Sequence, residues 1–175
     1  MSRMRLHVQP GRDAWKEVEP LAALVYPPEV LATIVWRDVT WAHADQWVLV
    51  YDQERLVSTA GMHLRKGLQD GASVRIGGIG EVMTHPEHRR RGYATAALRH
   101  AEKLFRDCGT DFNLLFCEPK NIAFYSGLGW HAFPGDVIVE QPGGRVLFTV
   151  TRAMVQAARK SAPSRGTIDL CGLPW

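Results

Sequence analysis

Apolar residues recur along this chain with two periods. Ala94, Leu98, Ala101, Phe105 and Cys108 are spaced by four, three, four and three residues, which is one stripe of a helix. Gly109 follows where a left-handed C-terminal cap belongs, so the pattern predicts a helix from about Gly92 to Cys108. Elsewhere the apolar runs are short and rich in β-branched and aromatic residues. MRLHV (4–8), WVLVYD (47–52), LVSTAGMHL (56–64) and the run from Val74 to Thr84 each predict a strand. DQER joins the second and third of these as a hairpin, and Asp70-Gly71 turns the chain into the fourth. FNLLFC (112–117) is apolar almost throughout, the mark of a strand covered on both faces. VIVE and RVLFTVT predict a closing hairpin around Pro142, Gly143 and Gly144.

Two further helices are expected near the start. Asp13 is placed to cap one over Ala14 to Leu24, which Pro27 and Pro28 close. Pro28 then suits the first turn of a second, running through about Trp36. NIAFYSGL (121–128) predicts a short helix, and residues 152–160 tolerate a helix without a clear stripe. No internal repeat is visible. Strands meander first and then alternate with helices, which predicts a mixed sheet in an α/β (α+β) layer fold. Residues 1–160 are expected to form one domain. SAPSRG links it to a tail, 161–175, whose Ile168, Leu170, Leu173 and Trp175 are too apolar for a solvated coil, so the tail is expected to dock on the same domain.

Composition narrows the function classes. The chain has 175 residues, 46% hydrophobic and 22% charged, ordinary for a globular domain. Its most apolar stretch, 21–36, is broken by Pro27, Pro28 and Glu29, and its start has no apolar signal core, so a cytoplasmic protein without a membrane span is expected. Three cysteines far apart imply no disulfide framework. A net charge of +3, with no basic stripe interleaved with aromatics, argues against a nucleic-acid partner.

Against that mild charge, the stretch HRRRGYA stands out. A strand, a tight basic loop carrying Arg89, Arg90 and Arg91, then Gly92 and a helix start describe an anion cradle. The first N–H groups of the helix have no intrahelical partner, and Gly92 and Ala94 leave the backbone open to a ligand. A solvated arginine face is the plain alternative. His85 and His88 have metal-like spacing, but they flank Pro86 in a loop with no cysteine near in sequence, so no metal is expected.

Arg89-Arg90-Arg91-Gly92-Tyr93-Ala94 resembles the Arg/Gln-x-x-Gly-x-Gly/Ala signature of the GNAT superfamily of acetyl-CoA-dependent N-acetyltransferases. GEVMTHPEH before it and NIAFYSGLGW after the fifth strand are similar to that superfamily's fourth strand and its Asn/Tyr segment. The resemblance runs from Trp47 to Thr151. VRIGGIGEVMTHPEHRRRG and the terminal tryptophan look most like the aminoglycoside 2'-N-acetyltransferase branch. The resemblance implies a GNAT-like, mostly antiparallel twisted sheet with splayed central strands and helices on both faces. It also implies acetyl-CoA as co-substrate. Val82, Met83 and Thr84 would pair with the pantetheine arm, the N–H groups from Arg89 to Ala94 (through Arg90, Arg91, Gly92 and Tyr93) would hold the pyrophosphate, and Asn121 would contact the cofactor from the other side.

Direct attack of an amine on a thioester needs a base for the ammonium and help for the leaving thiolate. The resemblance puts Tyr125 at the general acid, against the alternative of a core tyrosine packed on Phe124 or Leu128. For the base, the matching acidic position falls on Gly80, and Glu81 lies one residue late, so it reaches the site only if the strand bulges. Glu118 and the α-carboxylate of Trp175 are the other candidates. Asp38, between Trp36 and Trp41, is a candidate for an acidic aromatic acceptor pocket. The expected partner is a small-molecule amine. A protein amine, a non-catalytic acyl-CoA-binding scaffold, and a homodimer contact made by the tail remain alternatives.

Overall fold

The computed structural model describes residues 4–175. It holds one ten-stranded sheet. Strand β1 (Met4–Pro10) pairs antiparallel with β2 (Gln46–Asp52), and β2 with the first half of the long β3 (Arg55–Gln69). The other edge of β3 pairs along its length with β4 (Ala72–Thr84), across a turn in which Asp70 and Gly71 both have positive φ. Beyond β4 come β5 (Phe112–Cys117), β9 (Arg152–Ala157) and β6 (His131–Ala132). The second half of β3 carries β10 (Thr167–Asp169), then β7 (Asp136–Gln141) and β8 (Gly144–Leu147).

Helices cover both faces because β2 alternates. Trp47, Leu49 and Tyr51 pack with Ala14, Val18 and Leu21 of α1 (Gly11–Val25). Val48 and Val50 share a cluster with Ala97, Leu98, Ala101 and Phe105 of α3 (Tyr93–Asp107) on the opposite face. The predicted stripe of α3 is therefore its buried face, and Gly109 follows it at φ +77. A short α4 (Ile122–Ser126) lies after β5.

Four local expectations change. Helix α1 starts at Gly11, two residues before Asp13, and no side chain caps it. The second helix, α2, is a single turn, Pro28–Leu31, rather than a helix to Trp36. Thr33, Ile34 and Val35 are β-branched and poor helix formers, and Val35 has no face to bury, at 64% exposed. Residues 152–157 form β9 rather than helix. Ala153 and Val155 serve one cluster while Met154 serves another, the alternation of a strand that gives β5 its second neighbour. The strand expected from Arg145 to Thr151 stops at Leu147.

One buried polar network ties α3 to β5, β9 and the segment after α4. Glu102, 2% exposed, accepts from Arg99 (3.0 Å), Trp130 Nε1 (3.3 Å) and Gln156 Nε2 (3.0 Å), and Gln156 Oε1 accepts from Asn113 (3.1 Å). Glu102→Gln removes the charge and gives one oxygen site a second donor, so one partner is left unpaired. The expected cost is about 2 kcal/mol, read from the urea midpoint of unfolding. An unchanged midpoint would mean that the network adds nothing.

Candidate active site

Strands β4 and β5 run parallel and bond only from Ile76↔Phe112 to Ile79↔Leu115. Past that pair β4 continues to Thr84 and β5 to Cys117 with no ladder between them, so the two strands part in a V. A cavity of about 210 Å³ opens there, bounded by Gly80, Glu81 and Val82 on one side and Phe116, Cys117 and Glu118 on the other. The β5-side edge of β4 from Gly80 to Thr84 is left without a strand partner, which suits a ligand that hydrogen-bonds like an added strand. Met83 itself turns its side chain into the α1 cluster, and its carbonyl accepts from Ser58 Oγ at 2.7 Å. The Thr84 hydroxyl is 2.9 Å from that same Ser58 Oγ.

The bulge on which Glu81 depends is present. Thr59 pairs with Met83 and Gly61 with Gly80, so β4 carries one residue more than β3 between those pairs. Glu81 takes up the excess at φ +47. Its side chain crosses above Gly61, where an added Cβ would lie 2.1 Å from Oε2. Glu118 also lines the cavity, 3.2 Å from Lys120 Nζ.

At the open end of β4, His85 leads into a 3₁₀ turn (Pro86–His88), and the arginines follow. Arg90 and Gly92 both have positive φ, +60 and +83. The first backbone bond into α3 is Ala96 N–H to Gly92 C=O, so the N–H groups of Tyr93, Ala94 and Thr95 precede the helical ladder. Arg89, Arg90 and Arg91 are exposed around them. The Tyr93 side chain is buried instead, and its hydroxyl donates to Asp52 at 2.7 Å, so this residue can offer a ligand only backbone. Asn121 and Tyr125 line the far side of the cavity. Burial, then Cys117 and Tyr26, push the Tyr125 hydroxyl above its ordinary value near 10. Burial, then Glu118, pushes the Cys117 thiol up to about 11, so it stays a thiol, packed 3.6 Å from Met154 Sδ.

Trp175 also lines the cavity. Its indole lies against β4, where a Cβ on Gly78 would meet the ring at 2.2 Å and one on Gly80 would meet the Trp175 main-chain carbon at 3.1 Å, and its Nε1 donates to Leu114 C=O at 3.0 Å. It stacks on His63 (5.4 Å, 19°), and the Arg65 guanidinium lies over its ring at 5.1 Å. Trp41 lines the cavity, edge-on to Trp36 and Phe148, and its Nε1 is buried without a partner among the described residues, as is Thr151 Oγ1. Asp38 does not reach this site: it is exposed and ion-paired with Arg37 at 3.5 Å, because the chain there turns instead of continuing as helix. Tyr26, Phe116 and Thr151 carried no sequence signal and join the site only through the fold, whereas Trp36, flanking Asp38 in the expected aromatic pocket, does line the cavity. His85, Glu87 and His88 bring their ligand atoms within 4.8 Å of one another. Arg55 occupies that group, 2.6 Å from His85 Nε2 and 3.9 Å from Glu87, where a guanidinium disfavours a cation. No described helix is long and apolar enough to cross a membrane.

Residues 11–133 match the family model of the acetyltransferase (GNAT) domain. An uncharacterised N-acetyltransferase of Streptomyces avermitilis is 29% identical over 140 residues, covering 78% of this chain and 33% of its own length. The chain thus spans about a third of that relative. Among solved structures, a GNAT family N-acetyltransferase from Escherichia coli in complex with CoA superposes with TM-score 0.62 at 14% identity, covering 97% of this chain and 91% of that one. A GNAT family acetyltransferase from Brucella melitensis in complex with acetyl-CoA superposes with TM-score 0.60 at 12% identity, with 96% of each chain covered.

Proposed function

Because this chain belongs to the GNAT acetyltransferase family, we propose that it transfers acetyl from acetyl-CoA directly to the primary amine of a small cationic molecule. The observation that carries this reading is the V between β4 and β5, with Glu81 on one wall and Tyr125 on the other. The pantetheine arm adds to the free edge of β4 at Val82, Met83 and Thr84. The pyrophosphate takes the N–H groups at the start of α3, with Arg89, Arg90 and Arg91 around it. Asn121 borders the thioester end.

Acceptor specificity follows from the walls. Glu81 and Glu118 favour an ammonium, and aromatic rings from Tyr26, Trp41 and Trp175 clasp the carbon skeleton. Trp41 Nε1 asks for an acceptor such as a hydroxyl oxygen, and Thr151 Oγ1 for a hydroxyl or an ammonium. A hydroxylated, polycationic amine meets all of these, in keeping with the resemblance to the aminoglycoside 2'-N-acetyltransferase branch.

Glu81 takes the ammonium proton, directly or through a water. Tyr125 works as a hydrogen-bond donor to the sulfur. Phenol near pKa 10 and thiol near 8.5 already make full proton transfer uphill by about 2 kcal/mol, and burial of Tyr125 raises that further. Its hydrogen bond strengthens as charge grows on the thiolate.

The test is release of CoA thiol over a panel of aminoglycosides, polyamines, amino acid amides and peptide N-termini. Amine-dependent thiol release, greatest with a small polycation, is expected. Acetyl-CoA binding with no release from any amine would make the chain a non-catalytic acyl-CoA module. A second variant tests the Trp175 wall. Gly78→Val must lift the indole off β4, and the KM of the best amine is expected to rise about tenfold with the acetyl-CoA KM little changed. An unchanged amine KM would remove Trp175 from the acceptor pocket.

A further inference from the structure

His63 is the residue of this region that neither the sequence nor the family reading uses. It follows Gly61 by two positions on β3, on the same face, and is only 2% exposed. Its Nε2 has no hydrogen-bond partner among the described residues, and neither does the buried Glu81 Oε2. These two orphan atoms face each other at 3.6 Å, just too far for a hydrogen bond and close enough that a small rotation of Glu81 makes one. The surrounding backbone keeps the space between them clear. A Cβ on Gly61 would lie 2.1 Å from Glu81 Oε2, and one on Gly80 would lie 3.3 Å from His63 Nε2. A histidine serving only as filler would be replaced at no loss by an apolar residue, whereas this one aims its free nitrogen at the carboxylate of the cavity.

We propose that His63 is a positioning residue that extends the base into a Glu81–His63 pair, a proposal that rests on the acetyltransferase reading above. The acceptor ammonium gives one proton to the Glu81 carboxylate, whose rotation brings that proton to His63 Nε2. The freed lone pair attacks the thioester carbonyl, forming the C–N bond and moving the C=O pair onto oxygen. Collapse of that intermediate breaks the C–S bond. The second nitrogen-bound proton passes to the sulfur beside the Tyr125 hydroxyl, the third stays on the amide, and the first returns from His63 through Glu81 to water. Glu81 is the exit because its side chain is 34% exposed while that of His63 is 2%. The imidazole gives the proton a second acceptor behind the carboxylate, so it need not be released to solvent before the amine attacks. The Trp175 ring stacks on the imidazole and holds its plane. The other charged groups nearby are the α-carboxylate of Trp175, whose carbon would lie 3.1 Å from a Cβ on Gly80; Asp45, whose carboxylate accepts from the Leu64 N–H at 2.8 Å; and Arg65 over the same indole.

The test has two arms, both on the full chain. In the first, the His63 ring resonance, assigned through its backbone connectivity, is titrated by NMR between pH 5 and 9 without any ligand. Glu81→Gln is expected to lower its midpoint by at least half a unit, because the facing negative charge is gone. A midpoint that does not move, or a ring that does not titrate in this range, overturns the proposal. In the second, His63→Gln is assayed with the best amine of the panel. The expected result is a fall in kcat of about tenfold or more. The acid limb of kcat/KM should change shape, because one titrating group of the pair is gone, with acetyl-CoA KM unchanged. A pH profile that overlays the wild type overturns it. Should His63→Gln not fold, the Glu81→Gln titration decides alone. Should the wild type acetylate no amine, that failure belongs to the enzyme reading, and the titration still decides whether the pair exists.

Discussion

Gly92→Glu is expected to weaken acetyl-CoA binding at least about 100-fold, or about 2.7 kcal/mol, in calorimetric titration. The reason is local. Gly92 caps α3 with φ +83, ahead of N–H groups that belong to no helical bond, and it stands among three arginines. A carboxylate there competes for the charge that a pyrophosphate would use. The protein itself offers no obstruction, because a Cβ on Gly92 has no heavy atom within 4 Å. The structural cost is therefore confined to backbone strain of about 1–2 kcal/mol for a side chain in the left-handed region. Gly92→Ala carries that strain without the charge, so it separates the two effects: it should melt like the Glu variant yet keep most of the affinity. If the Glu and Ala variants bind acetyl-CoA equally well, the cradle at α3 is not the pyrophosphate site.

Tyr125→Phe is expected to lower turnover about 100-fold while leaving acetyl-CoA affinity nearly unchanged. The ring keeps its place, since its packing against Phe124 (5.0 Å) and Trp130 (6.4 Å) does not involve the hydroxyl. What disappears is the donor beside the departing sulfur. Because burial raises the pKa of this phenol, the wild-type hydroxyl stays protonated throughout the assay range, and no alkaline loss of activity is expected from Tyr125 below pH 10. A variant with near-wild-type turnover in a chemistry-limited assay would return Tyr125 to a packing role.

The family resemblance was carried by a contiguous stretch and could be read without a structure. HRRRGYA and NIAFYSGLGW each hold their chemistry within a dozen residues, so the cradle and the Asn121/Tyr125 pair followed from order along the chain. Glu81 was legible only conditionally. The sequence posed the question of a bulge, and the answer lay in the register of β3 against β4. His63 and Tyr26 were not legible at all. A histidine in a β-run and a tyrosine before two prolines have no spacing that marks them, and each acquires a role from what another strand brings opposite to it.

By itself the sequence determined the elements whose signals are periodic or local. These were the α3 stripe, the strand runs from β1 to β5, the two-residue turns, and the glycine that opens the helix start. Such features depend on side-chain period and backbone freedom, which neighbouring residues set. Tertiary structure alone decided that 152–157 becomes β9 and that Trp175 lies on the glycines of β4. Each of these is settled by a partner far along the chain: Leu114 is 61 residues from Trp175, and Met154 faces Leu115 across β9 and β5. A segment of indifferent propensity takes the form that its distant partner requires, because burial and hydrogen bonding against that partner outweigh the few tenths of a kcal/mol per residue, roughly, that propensity contributes.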